Sequence, residues 1–239
     1  MVLALFLLFL SSFPFACSAS SPKYNALFCF GNSYSDTGNF NILVQGTVFD
    51  QLPYGITYFG HPNGRASDGR IPIDFIAAAC SVLFHGRKNG AVATYFLTLI
   101  SSITMALFIL GEIGGNDYDY MLFSHKTIDY VKSYVPTVID TINTAAESLL
   151  KQGVMYLMLP GLGPMGCTPI VLTIFASTNK SDYDSSGCLK IYNTIASYHT
   201  QLLSQAVTLL RAKYPQARII FADYYGPVIA VLQTPELFG

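Results

Sequence analysis

The stretch FGNSYSDTGN, residues 30–39, follows directly on the apolar run ALFCF of residues 26–30. A short apolar run that ends in a turn rich in Gly, Asn, Asp and Ser is typical of a buried strand whose carboxyl end opens into a loop. The loop contains two serines, Ser33 and Ser35. A serine hydroxyl is a weak nucleophile until a neighbouring base removes its proton, so the role of this loop depends on the rest of the chain.

Three further apolar runs end in the same way, at residues 105–110, 154–159 and 218–222. Between them, residues 127–152 and 189–214 carry apolar side chains at every third or fourth position, which predicts two amphipathic helices. Strands that alternate with helices predict an α/β fold with a mostly parallel sheet covered on both faces. Ligands bind such sheets at the carboxyl ends of the strands, where the Gly-, Asn- and Asp-rich turns of this chain fall.

The composition predicts one folded domain that does not bind nucleic acid. Of the 239 residues, 51% are hydrophobic and 11% are charged, which is far from a disordered composition. The 13 basic and 14 acidic residues give a net charge of −1 and form no basic stripe. The sequence has no Cys-x-x-Cys pair and no cluster of Cys and His, so it predicts no zinc site.

The first 19 residues have the pattern of a secretory signal peptide. The apolar run of residues 2–10 is too short to span a bilayer, and small residues suited to cleavage stand between positions 16 and 19. No basic residue precedes the run, and the alternative is an apolar strand or tail. We therefore expect a signal peptide over residues 1–19, one domain over residues 24–239, and secretion.

Secretion would place the cysteines in an oxidising compartment. Cys167 and Cys188 flank a polar loop, and we expect a disulfide that closes it. The same loop contains the sequon Asn179-Lys180-Ser181, so Asn179 is a candidate for glycosylation and marks the surface.

The uncharged residues 89–111 allow two interpretations. By length the segment matches a membrane span. Its several Ser and Thr residues, and its continuation into the strand-and-turn pattern LFILGEIGGND, favour a buried helix followed by a strand. We expect the second arrangement and no stable membrane span.

The stretch PGLGPMG, residues 160–166, matches the spacing of a dinucleotide-binding loop after a strand. Such a loop needs free backbone N–H groups and the start of a helix. Pro164 removes one N–H, and Pro169 disfavours a helical conformation for the residue before it. A tight structural turn is the better interpretation, and a dinucleotide-dependent oxidoreductase is a distant alternative.

The stretch GEIGGNDYDY, residues 111–120, presents Asn116 after the second strand. An Asn side-chain amide can donate a hydrogen bond to an oxyanion during acyl transfer. Asn and Asp also suit tight turns for conformational reasons alone, and the stretch by itself leaves both interpretations open.

Taken together, several stretches resemble the GDSL esterase/lipase family of plant type, within the SGNH hydrolases. FGNSYSDTGN and GEIGGNDY match two signature blocks, and the similarity continues in order from about residue 28 to residue 239. The other matching stretches are PYGITYFG, GRASDGRIPIDFIA, LMLPGLGPMGCTPI, GCLKIYN and IIFADYYGPV.

The resemblance implies a three-layer α/β/α domain and a secreted hydrolase that acts on small-molecule or lipid esters without a metal or organic cofactor. It implies that Ser33 is the nucleophile and forms an acyl-enzyme. The backbone N–H of Ser33 would contribute to the oxyanion hole, and Asn116 would supply a side-chain donor. The sequence indicates no oligomeric state.

The chain also departs from the family pattern. Asn32 replaces the Asp of the family motif, and a glycine expected between Ala93 and Thr94 is absent. Several dozen residues that precede the second motif's strand in the family also have no match.

The largest departure concerns the catalytic Asp and His, which the family takes from one Asp-x-x-His near the carboxyl terminus. The chain has four histidines, His61, His85, His125 and His199. The residues three positions before them are Tyr58, Val82, Leu122 and Ala196, so none of the four belongs to an Asp-x-x-His. His199 falls inside a predicted amphipathic helix, where we expect it to point to solvent or to pack at the helix edge. The sequence therefore predicts a domain that is incomplete at its carboxyl terminus, with doubtful activity. The alternative to an active hydrolase is an inactive, truncated family member.

Overall fold

The computed structural model describes residues 24–44, 46–80 and 103–237. At its centre lies a parallel sheet whose four strands follow one another in chain order. The strands are β1 (Ala26–Phe30), β2 (Ala106–Leu110), β3 (Tyr156–Pro160) and β4 (Arg218–Ala222). All four apolar runs predicted as strands form strands, with ends that agree to within two residues.

Seven α-helices are present in the described ranges. They are α1 (Asn39–Leu43), α2 (Pro72–Ala79), α3 (Gly115–Phe123), α4 (Ile128–Lys151), α5 (Pro169–Ile174), α6 (Lys190–Lys213) and α7 (Tyr225–Gln233). The two predicted amphipathic helices correspond to α4 and α6. Helix α4 begins where the Thr127 hydroxyl accepts a hydrogen bond from the Tyr130 N–H, and it runs through Pro136 without interruption. Gly153, with a φ of 92°, follows its carboxyl end, where a left-handed residue commonly ends a helix.

The helices cover both faces of the sheet, as the alternation of β2 shows. Ala106, Phe108 and Leu110 point into the large apolar cluster beneath α4 and α6. Leu107 and Ile109 point to the other face and join Ile71 and Ile73 next to α2. Because every residue of β2 is buried, the strand reads as a continuous apolar run. The fold is the predicted three-layer α/β/α arrangement.

The described part of the uncharged segment 89–111 is a 3₁₀ turn, Ile103–Met105, followed by β2. Three predictions fall outside the described residues. They concern the earlier part of the uncharged segment, the signal peptide over residues 1–19, and the missing glycine between Ala93 and Thr94. Within the described ranges, no helix has the length and apolar character needed to cross a membrane.

The PGLGPMG stretch is a turn in which the N–H groups of two glycines already have acceptors. The Gly166 N–H donates to Asn193 Oδ1 at 2.8 Å, and the Gly161 N–H donates to the Ala222 carbonyl at 2.9 Å. A Cβ on Gly166 would lie 2.1 Å from the Leu189 carbonyl oxygen, so only glycine fits there. These contacts pack β3 against β4 and α6, and they take up two donors that a phosphate-binding loop would need.

Cys167 and Cys188 form a disulfide in the structure, with their Cα atoms 4.4 Å apart. The bond ties the 3₁₀ turn Met165–Cys167 to Cys188, two residues before α6 begins. Between the two cysteines, Asn179 is exposed and accepts a hydrogen bond from the Ser181 N–H.

Replacing both cysteines with serine should lower the free energy of unfolding by about 3 kcal/mol, because the unfolded chain regains the entropy of an open loop of this size. Chemical denaturation of the wild type and the double variant measures the difference. A reducing agent should destabilise the wild type by a similar amount and leave the double variant unchanged. Equal stability of the two proteins without reductant would contradict the assignment.

Candidate functional site

The loops that follow β1 and β2 lie against each other at the carboxyl edge of the sheet. The Gly111 N–H donates to the Phe30 carbonyl at 2.7 Å. A Cβ on Gly31 would lie 2.4 Å from the Gly111 carbonyl oxygen, so the approach requires glycine at position 31. The two stretches that resemble family signature blocks are therefore neighbours in space.

Ser33 lies at the tip of a tight turn. The Ser35 N–H donates to the Asn32 carbonyl at 2.9 Å, and the Tyr34 N–H donates to Asn32 Oδ1 at 3.0 Å. These bonds span Ser33, which is exposed. In the described ranges, the Ser33 N–H has no protein acceptor. Ser33 thus has an exposed side chain and a backbone N–H that no acceptor in the described ranges takes up.

The remainder of the loop is held by Asp36. Its carboxylate accepts the N–H groups of Gly38, Asn39 and Phe40 at 2.9, 2.6 and 2.9 Å. An acidic side chain that satisfies these donors fixes the start of α1. The polar residues of this stretch therefore build a defined loop around Ser33.

Asn116 lies in the first turn of α3, which begins at Gly115 after Gly114 adopts a φ of 101°. The sequence indicated a turn here, whereas the structure places Asn116 on a helix with an exposed side chain. A Cβ built on Gly115 lies 3.9 Å from Asn32 Nδ2, so the start of α3 is next to the Ser33 turn. The amino-terminal end of a helix carries partial positive charge, which favours a developing oxyanion.

Glu112 is a feature of this edge that sequence reasoning did not identify. It follows β2 with a φ of 43°, which is unusual for a residue other than glycine. Its backbone carbonyl accepts a hydrogen bond from Asn32 Nδ2 at 3.3 Å. Burial raises the pKa of its carboxyl to about 7, and a hydrogen bond from Asn32 partly opposes that rise. Its Oε2 is buried and has no partner among the described residues.

Other ionisable groups respond to Glu112. Burial, and then the charges of Glu112 and Cys29, raise the pKa of Tyr224 to about 12. Burial, and then the charges of Glu112 and Asp119, raise the pKa of Tyr34. Burial raises the pKa of Asp119 itself to about 6. The Ser33 turn therefore borders a partly buried acidic region formed by β1, α3 and the loops after β2 and β4.

The sequence predicted that His199 points to solvent or packs at the helix edge. This prediction is wrong, because the ring is fully buried. Its Nδ1 is 2.9 Å from the Tyr118 hydroxyl, across the core between α3 and α6. Its Nε2 is buried without a partner in the described ranges, and burial lowers its pKa to about 4. The helical stripe of α6 continues through position 199, so this histidine replaces an apolar core residue.

The other histidines also lack a role next to Ser33. His125 is exposed beyond the carboxyl end of α3, the end opposite Asn116, and α3 is about 13 Å long. The Nδ1 of the exposed His61 is 2.8 Å from the Pro62 carbonyl oxygen. His85 lies outside the described residues. Among the histidines that the structure describes, none hydrogen-bonds Ser33.

Burial of His199 should make stability fall as the pH is lowered from 6.5 towards 4. The folded pKa lies below the ordinary value of 6.5, so the unfolded chain takes up the proton first. The loss can reach about 3 kcal/mol, at 1.36 kcal/mol per pKa unit.

Glu112 and Asp119, whose pKa values are raised, change the stability with the opposite sign in this pH range. The difference between wild type and His199→Gln therefore isolates the histidine. Chemical denaturation at pH 7 and pH 5 measures it, with His125→Gln as an exposed control. The same pH dependence in wild type and His199→Gln would contradict a buried neutral His199.

The described residues contain no group of three or more His, Cys, Asp or Glu side chains placed to hold a metal ion.

Comparisons with known proteins show the family to which the chain is related. The profile of the GDSL-like Lipase/Acylhydrolase family matches residues 27–236. A GDSL esterase/lipase of Arabidopsis thaliana is 33% identical over 297 residues, covering 100% of this chain and 76% of that protein. A second GDSL esterase/lipase of the same plant is 33% identical over 300 residues, covering 98% of this chain and 80% of that protein. Sinapine esterase of Brassica napus is 31% identical over 276 residues, covering 92% of this chain and 71% of that protein.

The alignment with the first relative is longer than this chain, so that relative contains residues without a counterpart here. This agrees with the expected missing residues, although it does not locate them. The family profile nevertheless extends across all four strands and both loops of the candidate site. The chain belongs to the GDSL-like lipase/acylhydrolase family, a family of hydrolases that act on ester bonds.

Proposed function

We propose that this chain is a secreted serine ester hydrolase in which Ser33 is the nucleophile and Asn116 an oxyanion donor. The observation that carries the proposal is the position of the exposed Ser33 turn beside the amino-terminal end of α3. Ser33 Oγ would attack the ester carbonyl, the alcohol would leave, and water would then release the acid from the acyl-enzyme. The negative charge that develops on the carbonyl oxygen would be met by the Asn116 amide and the Ser33 N–H.

The substrate class follows from the family and from named relatives. The relatives above are esterases or lipases, and one of them acts on sinapine by its name. We propose a small-molecule or lipid ester as the substrate of this chain. Secretion is proposed from the signal-peptide pattern of residues 1–19, and Asn179 is proposed as a glycosylation site because its sequon is exposed.

A second candidate function is ester binding without turnover. The 239 residues contain no Asp-x-x-His, and His199 is committed to the core. A serine protease that loses its serine or histidine loses about a million-fold in rate, which is the scale of the deficit expected without a base. Turnover by this chain should accordingly be slow.

The two candidates differ in the time course of ester cleavage. The purified protein is mixed with a small excess of p-nitrophenyl acetate, and the released p-nitrophenol is counted per chain. The hydrolase proposal predicts release that continues slowly beyond one equivalent. Release that stops at or below one equivalent supports the second candidate. Release no faster than in protein-free buffer would contradict both acylation and turnover.

A further inference from the structure

We infer that Asn32 and Glu112 form a positioning pair that holds the Ser33 turn in place. The inference rests on the proposed function for its catalytic meaning, since it assumes that Ser33 is the nucleophile. The pair itself is a statement about geometry and can be tested without catalysis.

The two ends of the Asn32 amide make different contacts. Oδ1 accepts the Tyr34 N–H at 3.0 Å and so closes the turn over Ser33. Nδ2 donates to the Glu112 backbone carbonyl at 3.3 Å. One side chain therefore joins the nucleophile's turn to the end of β2, which is completely buried and provides a rigid support.

Glu112 occupies its position at two costs. A glutamate with a φ of 43° has a backbone conformation that side chains disfavour. Its buried Oε2 has no partner in the part of the chain that the structure describes. Strain and unpaired polar atoms of this kind persist where the surrounding structure holds them, and they concentrate at functional sites. Both unfavourable features of Glu112 occur beside the Ser33 turn.

The pair also explains how the loop accommodates Asn32 in place of the family's Asp. An aspartate could still accept the Tyr34 N–H, but it could not donate to Glu112. It would instead bring a second carboxylate to a partly buried one, which raises the pKa of one of the two. The neutral amide bonds the Tyr34 N–H and the Glu112 backbone carbonyl at the same time.

The ionisation of Glu112 should be felt by the pair, because the residue whose carbonyl binds the Asn32 amide also carries a partly buried carboxyl, and burial raises the pKa of that carboxyl to about 7. Asn32 acts on the pKa of Glu112, and the charge of Glu112 raises the pKa values of Tyr34 after β1 and Tyr224 after β4. Asp119 in α3 and Cys29 in β1 act on the same two tyrosines, respectively. None of these groups is a cation. Asn32 is thus the group that favours the charged form.

Nuclear magnetic resonance of ¹⁵N-labelled protein between pH 5 and pH 9 tests the pair. The Asn32 side-chain amide and the Tyr34 N–H should shift together with a midpoint near pH 7. In Glu112→Gln, whose side chain has nearly the same shape and does not titrate, this transition should disappear. In Asn32→Asp, the transition sensed at Tyr34 should move upward by about one pH unit or more. The dispersion of each spectrum shows whether the variant is folded.

Absence of the transition in the wild type, or its survival unchanged in Glu112→Gln, would overturn the inference. If Glu112→Gln does not fold, an unchanged midpoint in Asn32→Asp would overturn it as well. The rate at which a fluorophosphonate labels Ser33 should follow the same midpoint in the wild type. A protein that shows the resonance transition but no labelling would retain the positioning pair and lose the proposed function, so the two failures are distinguishable.

Discussion

Replacing Ser33 with alanine should abolish both ester cleavage above background and covalent labelling by a fluorophosphonate. Alanine lacks the oxygen atom that forms the acyl-enzyme, and we expect no other group in the site to supply one. The turn should survive, because its bonds come from Asn32, Tyr34 and Ser35 and the Ser33 side chain is exposed. The measurement is the release of p-nitrophenol under the conditions described above, with circular dichroism as a check of folding.

Ser35→Ala is the matched control, since it removes the second hydroxyl of the same loop. The Ser35 side chain packs against Gly31 and Gly111. Its loss should change the rate by only a few-fold. If Ser35→Ala loses activity and Ser33→Ala retains it, Ser35 is the nucleophile and the assignment to Ser33 is wrong.

Replacing Asn116 with alanine should slow the acylation of Ser33 by about 100- to 1,000-fold, the effect of removing one oxyanion donor in a serine hydrolase. The loss should fall on the rate constant of acylation more than on the affinity for the ester, because the donor meets charge that develops only in the transition state. Stopped-flow release of p-nitrophenol at several ester concentrations separates the two quantities.

Asn116→Asp provides a sharper comparison. An acidic residue in the first turn of a helix is favoured by the helix dipole, so the variant should be at least as stable as the wild type. It nevertheless lacks the amide donor and should lose as much activity as Asn116→Ala. Asn143→Ala, in the middle of α4, serves as the control for a remote helical Asn. Acylation at the wild-type rate in Asn116→Asp would contradict the proposed role.

The sequence predicted most of the fold because the periodicities are strong. The five residues of β2 are all apolar, since both faces of the strand are covered, and the stripe of α4 repeats over 24 residues. The meeting of the Ser33 and Asn116 loops was also predictable from the resemblance, because both follow neighbouring parallel strands at the same edge of the sheet.

His199 and Glu112 show where this reasoning fails. A polar residue in an amphipathic helix is ordinarily exposed, and only the tertiary partner Tyr118 makes burial of His199 tolerable. The partial burial of Glu112 depends on the loops after β1 and β4, which are distant in sequence. A hint was present, because an acidic residue two positions after a fully apolar strand is close to the core. Neither contact could be deduced from local periodicity.

The most direct test of the central claim is to locate the fluorophosphonate adduct. Intact-mass spectrometry of the labelled protein counts the adducts. Fragmentation of the peptide that contains residues 30–39 then identifies the modified residue. We expect one adduct per chain, on Ser33, and no adduct in Ser33→Ala. An adduct on Ser35 or on a residue outside this loop, or no adduct in the folded wild-type protein, would contradict it.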